Sequence, residues 1–201
     1  MVLAAGVSAV LFDVDGTLFQ MAYDADTLKR AWSARYDVSL GTIAEMLAAM
    51  PVANRLDALA ELSDAECAGV AAGAPVPDAS DVVRKVRERV PVAVVSRNGA
   101  AAVGAALSAL GHPDVPVVAR GDAAAEKPAA APVLEACRLL DRSAAAAVVV
   151  GDSAHDVGCA TAAGARSIVV PNPDLAWPPG GATAYVEQLS DVVPLIEQWL
   201  Q

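Results

Sequence analysis

The chain has 201 residues, with 14 lysines and arginines against 24 aspartates and glutamates, which gives a formal net charge of −10. This charge repels polyanions, so nucleic acid and anionic membrane surfaces are poor partners. Hydrophobic residues make up 55% of the chain, but alanine inflates that fraction and no apolar run approaches the ~20 residues of a spanning helix, so we expect a soluble protein.

Short β-branched runs alternate with stretches rich in alanine and leucine along most of the chain. Such alternation predicts a parallel sheet with helices on both faces. The predicted strands are residues 8–13, 92–96, 115–119, 146–151 and 167–170. The predicted helices are residues 79–89, 100–110, 129–140, 156–163 and 191–200. The apolar residues 1–7 lack the basic flank of a secretory signal and lead into the first strand.

The interval 20–78 interrupts this alternation and contains no convincing strand. Capping-box patterns at residues 42–45 and 63–66 predict consecutive helices that start near Thr42 and Ser63. Glycine and proline in residues 73–77 indicate a hinge or linker. We therefore predict a helical insertion of residues 20–78 within an α/β core formed by residues 1–19 and 79–201.

The three cysteines, Cys67, Cys137 and Cys159, include no close pair. An odd number without close spacing argues against a disulfide framework and a zinc site, and favours a reducing cytoplasm. The small, apolar flanks of Cys159 favour a packing role for this thiol.

Polar side chains follow three of the predicted strands. In open α/β sheets, ligands bind outside the carboxyl ends of the strands. The residues at these positions are Asp13 and Asp15, Ser96, and Asp152 with Asp156. Lys127 precedes Pro128, which suits the first turn of a helix and brings the ammonium to the same edge.

Four carboxylates around one crevice require cations, and a hard divalent ion such as Mg²⁺ would neutralise them together with Lys127. Such a site suits phosphoryl transfer, in which a carboxylate nucleophile divides hydrolysis into two steps. Each signal has a structural alternative: residues 13–17 suit a strand-end turn, Ser96 a cap, and Lys127 a solvated helix end. The ordered combination of all of them favours function.

The ordered set resembles the haloacid dehalogenase-like hydrolase superfamily, in particular its phosphoglycolate-phosphatase-like branch. The matching motifs are Asp13-Val14-Asp15-Gly16-Thr17, Ser96, Lys127-Pro128, and Gly151-Asp152-Ser153 with Asp156. The resemblance covers residues 7–17 and 79–170. It implies an α/β fold with a three-layer, Rossmann-like parallel sheet core and a small inserted all-helical cap, which we call the cap region (residues 20–78).

The resemblance also implies roles. Asp13 would be the nucleophile, and Asp15 would protonate the leaving oxygen and later activate water. The Asp15 carbonyl and the Asp13 and Asp152 carboxylates would hold Mg²⁺, with Asp156 supporting it directly or through another ligand. Dehalogenases of the superfamily lack an aspartate at the position of Asp15, which favours phosphate esters.

Ser96 and Lys127 would bind the phosphoryl oxygens. Arg97, next to Ser96, is a further phosphate-binding candidate, although neither Arg97 nor His155 is part of the family pattern and a surface role is the alternative for both.

The cap region of such enzymes closes over the crevice and selects the leaving group. Its candidate substrate contacts are basic and aromatic residues, namely Tyr23, Lys29, Arg30, Arg35 and Arg55. The alternative is a solvated helix face, with Trp32 in the core of the cap. Residues 19–21, Phe-Gln-Met, depart from the pattern of phosphoglycolate-type relatives and weaken any transfer of substrate identity.

Taken together, these features predict a Mg²⁺-dependent phosphatase that hydrolyses a small phosphomonoester, phosphoglycolate-like or a sugar phosphate, through an aspartyl phosphate. The alternatives are a sugar-phosphate phosphomutase and a catalytically inactive phosphate-binding regulatory module. The expected partner is a small phosphorylated metabolite, with no nucleic acid and no membrane, and the chain would be a cytoplasmic monomer or homodimer.

Overall fold

The computed structural model describes residues 6–175 and 178–200. The outer ends of the predicted core, residues 1–5 and 201, lie outside the described residues. A sheet of six parallel strands has the order β5 (Val117–Val118), β4 (Val92–Val95), β1 (Ala9–Phe12), β6 (Ala147–Gly151), β7 (Arg166–Val169) and β8 (Ala184–Tyr185). A separate antiparallel pair joins β2 (Phe19–Gln20) to β3 (Ala74–Pro75).

Eight α-helices accompany the strands in the described part of the chain. Three lie between β2 and β3: α1 (Ala25–Tyr36), α2 (Ile43–Ala49) and α3 (Val52–Ala72). The other five are α4 (Ala79–Arg87), α5 (Ala100–Ala109), α6 (Ala131–Leu140), α7 (Ala154–Ala163) and α8 (Val192–Trp199). Among the described residues, no helix has the length and apolar character needed to cross a membrane.

The sheet separates two hydrophobic clusters, because successive side chains of a strand point to opposite faces. In β1, Val10 and Phe12 join the cluster formed with α4, α5 and α8. Ala9 and Leu11 join the cluster formed with α6 and α7. The three-layer α/β architecture predicted from the sequence is therefore confirmed.

The cap region has its own hydrophobic cluster, formed by α1, α2 and the first part of α3. Its buried members are Trp32, Val38, Met46, Met50, Ala58 and Leu62. Trp32 is fully buried, and its indole N–H donates to Glu61 Oε2 at 3.0 Å. Trp32 thus fills the core of the cap, as the structural alternative had it.

The predicted elements occur with ends shifted by at most two residues, and two expectations are corrected. Thr42 caps α2 in a capping box with Glu45, as predicted. Ser63 starts no helix, because it lies inside the 21-residue α3. The interval 20–78 is also not free of strands, since its two ends pair as β2 and β3, with Phe19 opposite Pro75.

Candidate active site

Asp13 and Asp15 follow β1 in a tight turn. The backbone N–H of Asp13 donates to the carbonyl of Val150 in β6 at 2.8 Å, so Asp13 continues the sheet hydrogen bonding. The carbonyl of Val14 then accepts hydrogen bonds from the backbone of Leu18 and Phe19, both at 2.9 Å. This turn brings the Asp13 and Asp15 carboxylates to one cavity at the carboxyl edge of the sheet.

Gly16 allows this turn to approach the loops after β6 and β7. Its φ of 82° lies in the left-handed region that glycine adopts at low cost. A Cβ at this position would overlap Oδ2 of Asp152 and Nδ2 of Asn172. A glycine is therefore required here both by the backbone conformation and by the contact with two residues distant in sequence.

Lys127 connects two of the carboxylates. Its ammonium donates to Oδ1 of Asp13 and to Oδ1 of Asp156, each at 2.7 Å, and all three side chains are buried. The Lys127–Pro128 peptide is cis, and α6 begins only at Ala131. Pro128 therefore precedes the helix and does not occupy its first turn as predicted, although Lys127 does lie at the expected edge.

Asp156 accepts hydrogen bonds at both carboxylate oxygens. Besides Lys127 at Oδ1, Ser153 donates to Oδ2 through its backbone N–H at 3.1 Å and its hydroxyl at 2.6 Å. Ser153 and Asp156 form the capping box of α7. These contacts fix the Asp156 carboxylate, and through it the Lys127 ammonium, relative to the start of α7.

Asp152 is held by a residue from the loop that follows β7. Asn172, three positions after the end of β7, donates from Nδ2 to Oδ2 of Asp152 at 2.5 Å. Both side chains are buried. The amide thus fixes one Asp152 oxygen.

Burial and neighbouring charges shift the pKa values of the carboxylates and the lysine of the site. Burial raises the pKa of Asp13 to about 7, with Lys127 opposing the shift. Burial also raises the pKa of Asp15 to about 6 and raises the pKa of Asp152. Burial alone would lower the pKa of Lys127, but Asp13 and Asp156 outweigh it and raise that pKa above its ordinary value.

The donor set fits a hard divalent cation. One carboxylate oxygen from each of Asp13, Asp152 and Asp156 lies within 4.8 Å of the others. All three residues are buried, and with Asp15 they carry more negative charge than Lys127 neutralises. Oxygen ligands with excess negative charge are the environment that Mg²⁺ prefers. The cluster can therefore hold a metal ion.

Ser96 belongs to a hydrogen-bonded loop that connects the core to α3. Its hydroxyl donates to Oδ1 of Asn98 at 3.0 Å, and Nδ2 of Asn98 donates to Oε1 of Glu66 at 3.2 Å. The backbone N–H of Gly99, the N-cap of α5, donates to Oε2 of Glu66 at 2.9 Å. Arg120 completes the group through a buried ion pair with Glu66.

The cavity has a volume of about 550 Å³, which suits a small metabolite. Its lining includes the predicted residues Asp13, Asp15, Arg97, Lys127 and Asp152. Ser96 is buried and lies outside the lining, next to Arg97 and Asn98, which do line the cavity. Burial lowers the pKa of His155, another lining residue, and Arg97 contributes to this shift.

The five candidate cap contacts divide into two groups. Tyr23 and Lys29 line the cavity. Arg30, Arg35 and Arg55 do not, and their guanidinium groups contact other atoms of the cap region. Burial raises the pKa of Tyr23 to about 12, so its hydroxyl is neutral at ordinary pH. A role of any of these five in substrate selection stays a prediction.

Four residues of the site escaped the sequence analysis, namely Glu66, Asn98, Arg120 and Asn172. Asn172 follows the end of β7, so the strand-end rule that selected Asp13 applies to it as well. Asn98 and Arg120 follow the ends of β4 and β5 in the same way. Glu66 offered no such signal, because it reaches the site from the middle of a helix.

Comparison with known families decides the assignment. The sequence profile of the haloacid dehalogenase-like hydrolase family matches residues 7–164. The chain belongs to this family. It is therefore an enzyme of the hydrolase class, and the superfamily predicted from its motifs is confirmed. Comparison with curated protein sequences found no significant match.

Solved structures of this family share the fold over nearly the whole chain. A hydrolase from Pseudomonas syringae has 17% identity and a TM-score of 0.75, covering 96% of this chain and 100% of its own. A protein assigned as a phosphoglycolate phosphatase from Lactobacillus plantarum has 16% identity and a TM-score of 0.72, with coverages of 95% and 100%. These matches include the helical cap region.

A third similar structure is CbbY from Rhodobacter sphaeroides in complex with phosphate. It has 24% identity and a TM-score of 0.67, and the match covers 92% of this chain and 96% of that one. A variant of the same protein was solved with xylulose-1,5-bisphosphate. At these identities the similarity establishes the shared fold.

Proposed function

We propose that this hydrolase is a Mg²⁺-dependent phosphatase that cleaves a small phosphomonoester through a phosphoenzyme on Asp13. The observation that carries the proposal is the position of Asp13, which accepts a hydrogen bond from the Lys127 ammonium and lies within 4.8 Å of the Asp152 and Asp156 carboxylates. Structures with the same fold that hold phosphate and a sugar bisphosphate support this choice of substrate class.

In the first step, an Asp13 oxygen attacks phosphorus and the bond between phosphorus and the leaving oxygen breaks. Asp15 donates its proton to that leaving oxygen. One Asp15 oxygen, Oδ1, accepts the backbone N–H of Met21 at 3.0 Å, which leaves Oδ2 for this transfer. A pKa of about 6 suits a carboxyl group that must both donate and accept a proton near neutral pH.

In the second step, Asp15 takes a proton from water as the water oxygen attacks phosphorus, and Asp13 leaves as a carboxylate. Lys127, a buried cation that Asp156 holds in position, would stabilise the negative charge of the same phosphoryl oxygens. Asp13, Asp152 and the Asp15 carbonyl would hold Mg²⁺, which when bound neutralises the phosphoryl oxygens. Asp156 positions the Lys127 ammonium, and the lone pairs that remain on its oxygens let it support the metal directly or through another ligand.

Phosphate release from p-nitrophenyl phosphate tests the proposal. We expect turnover with Mg²⁺, none in EDTA, and a loss of at least about 1,000-fold in kcat for Asp13→Asn. Asp141→Asn is the matched control, because Asp141 is exposed and has a φ of 54°, which asparagine also tolerates. Undiminished turnover in EDTA or in Asp13→Asn would refute the mechanism.

A further inference from the structure

Arg97 stands apart from the other cationic side chains of the cavity. Four such side chains line it, namely Lys29, Arg97, Arg120 and Lys127. Three of them form ion pairs within the protein. Arg97 makes no hydrogen bond or ion pair with any residue in the described ranges 6–175 and 178–200.

Arg97 also differs from every other lysine and arginine of the chain, all of which lie within the described residues. Each of the others has a hydrogen bond, an ion pair or an aromatic ring contact within the chain. The Nε atom of Arg97 is shielded from solvent and has no acceptor. Because an unpaired buried donor costs free energy, a guanidinium held in this way at a cavity wall indicates a ligand.

Two further polar side chains accompany Arg97. Tyr23, at the start of the cap region, and His155, in the first turn of α7, both line the cavity. No hydrogen bond of either side chain occurs among the described residues, and Arg97 lies near enough for its charge to act on both. Three segments of the chain thus contribute polar side chains without hydrogen bonds among the described residues to the lining of one cavity.

Arg97 makes no contact with the nucleophile among the described residues, in contrast to Lys127. The Lys127 ammonium donates to Oδ1 of Asp13 at 2.7 Å, whereas no hydrogen bond or ion pair joins Arg97 to Asp13, Asp152 or Asp156 in the described part of the chain. Lys127 therefore serves the phosphoryl group that Asp13 accepts, and Arg97 remains available for a different anion. The planar guanidinium can hold a carboxylate or a phosphate with two parallel hydrogen bonds.

We propose that Arg97, with Tyr23 and His155, binds a second anionic group of the substrate, separate from the phosphoryl group that is transferred. The substrate is then a small phosphomonoester with a carboxylate or a second phosphate at its far end. This inference rests on the proposed function, and it changes the expected role of Arg97 from binding the transferred phosphoryl group to selecting the substrate.

Three three-carbon phosphate esters that differ only at the far end test the inference: propyl phosphate, 3-(phosphonooxy)propionate and 1,3-propanediol bisphosphate. Wild-type enzyme should prefer at least one of the two substrates with an anionic far end over propyl phosphate. Arg97→Ala should lower kcat/KM for the preferred substrate by roughly 10- to 100-fold, while propyl phosphate changes by less than about threefold. Arg97→Lys should recover part of the loss. The carboxylate and bisphosphate arms show which anion is bound.

The control is Arg142→Ala, because Arg142 is exposed and lies outside the cavity lining. Equal losses on all three substrates would overturn the inference and assign Arg97 to the transferred phosphoryl group. The absence of a loss on every substrate would also overturn it. Absence of turnover by the wild type would instead count against the proposed function. In that case, calorimetry with phosphonoacetate and ethylphosphonate tests the subsite directly, since Arg97→Ala should weaken only phosphonoacetate binding.

Discussion

Asp13 and Asp15 stand two residues apart, but their carboxylates have different neighbours. Asp13 accepts a hydrogen bond from the Lys127 ammonium, whereas Asp15 accepts one from the backbone of Met21. Nearby Asp152 raises the pKa of both carboxyl groups, in addition to the effect of burial. In residues 6–175 and 178–200 no cation pairs with Asp15, so burial disfavours its charged form and its ionisation opposes folding.

The sign of this effect gives a prediction for Asp15→Asn in the metal-free protein. In the unfolded chain Asp15 loses its proton near the ordinary 3.8, and in the folded protein near 6. Between these values the unfolded state binds fewer protons, so the free energy of unfolding falls as pH rises. Asparagine does not titrate. We expect Asp15→Asn to be more stable than wild type by roughly 1 to 3 kcal/mol at pH 8, with a difference of only about 0.5 kcal/mol near pH 4.

Urea denaturation in EDTA at the two pH values measures this difference, and Asp141→Asn again serves as the exposed control. A stability difference of the same size at pH 4 and pH 8 would show that lost contacts, and not ionisation, dominate the effect of the substitution.

At the residue scale, the sequence predicted those site residues that lie near the ends of strands or the starts of helices. Asp13, Lys127 and Asp152 were found because each lies near the carboxyl end of an apolar run or the start of a helix. Gly16 was part of a motif, but the reason for it is its contact with Asp152 and Asn172, residues far away in the sequence. Such contacts follow from the order of strands in the sheet, which local patterns do not specify.

At the scale of elements, α3 joins the cap region to the core. Ala58 and Leu62, in its first part, belong to the cap cluster, whereas Val70 belongs to a cluster of the core. Glu66 lies between them, almost fully buried, and accepts hydrogen bonds from Asn98 and Gly99. Its carboxylate also lies at the N-terminus of α5, where a negative charge is favourable.

Removal of the Glu66 carboxylate should therefore be costly. Glu66→Ala leaves Arg120 as a mostly buried cation without its partner, and we expect the free energy of unfolding to fall by about 3 to 5 kcal/mol. Glu66→Gln keeps an acceptor for the Gly99 N–H and should cost less. The double variant Glu66→Ala/Arg120→Met should recover much of the loss. Urea denaturation measures all three variants, and a loss below about 1 kcal/mol for Glu66→Ala would contradict this account.

The same residue shows why helix boundaries were less predictable than helices. Ser63 and Glu66 have the spacing of a capping box, but the surrounding alanine-rich sequence continues the helix through both positions. A serine and a glutamate three residues apart have the same local pattern whether they start a helix or lie inside one. What distinguishes them here is the tertiary contact of the Glu66 carboxylate, which binds Asn98 and Arg120.

At the scale of the whole molecule, the separate hydrophobic clusters bear on how the chain moves. The buried residues of the cap cluster all lie within positions 32–62. The two chain segments that join the cap region to the core pair with each other as β2 and β3. We propose that residues 20–78 act as a unit that opens from the core, with the β2–β3 pair as its base. The contact of Glu66 with Asn98 then couples the position of the unit to the loop that carries Ser96.

Native-state hydrogen exchange tests this division. Amides of α1 and α2 should share one opening free energy, lower than that of the amides of β1, β4 and β6, because the cap cluster is small and the central strands are buried on both faces. Trp32→Ala removes the largest member of the cap cluster and should lower the opening free energy of α1 and α2 by about 3 kcal/mol. Exchange in the central strands should stay unchanged. If those strands exchange faster by the same factor, cap and core unfold as one cooperative unit, which would contradict the separate stability of the cap cluster.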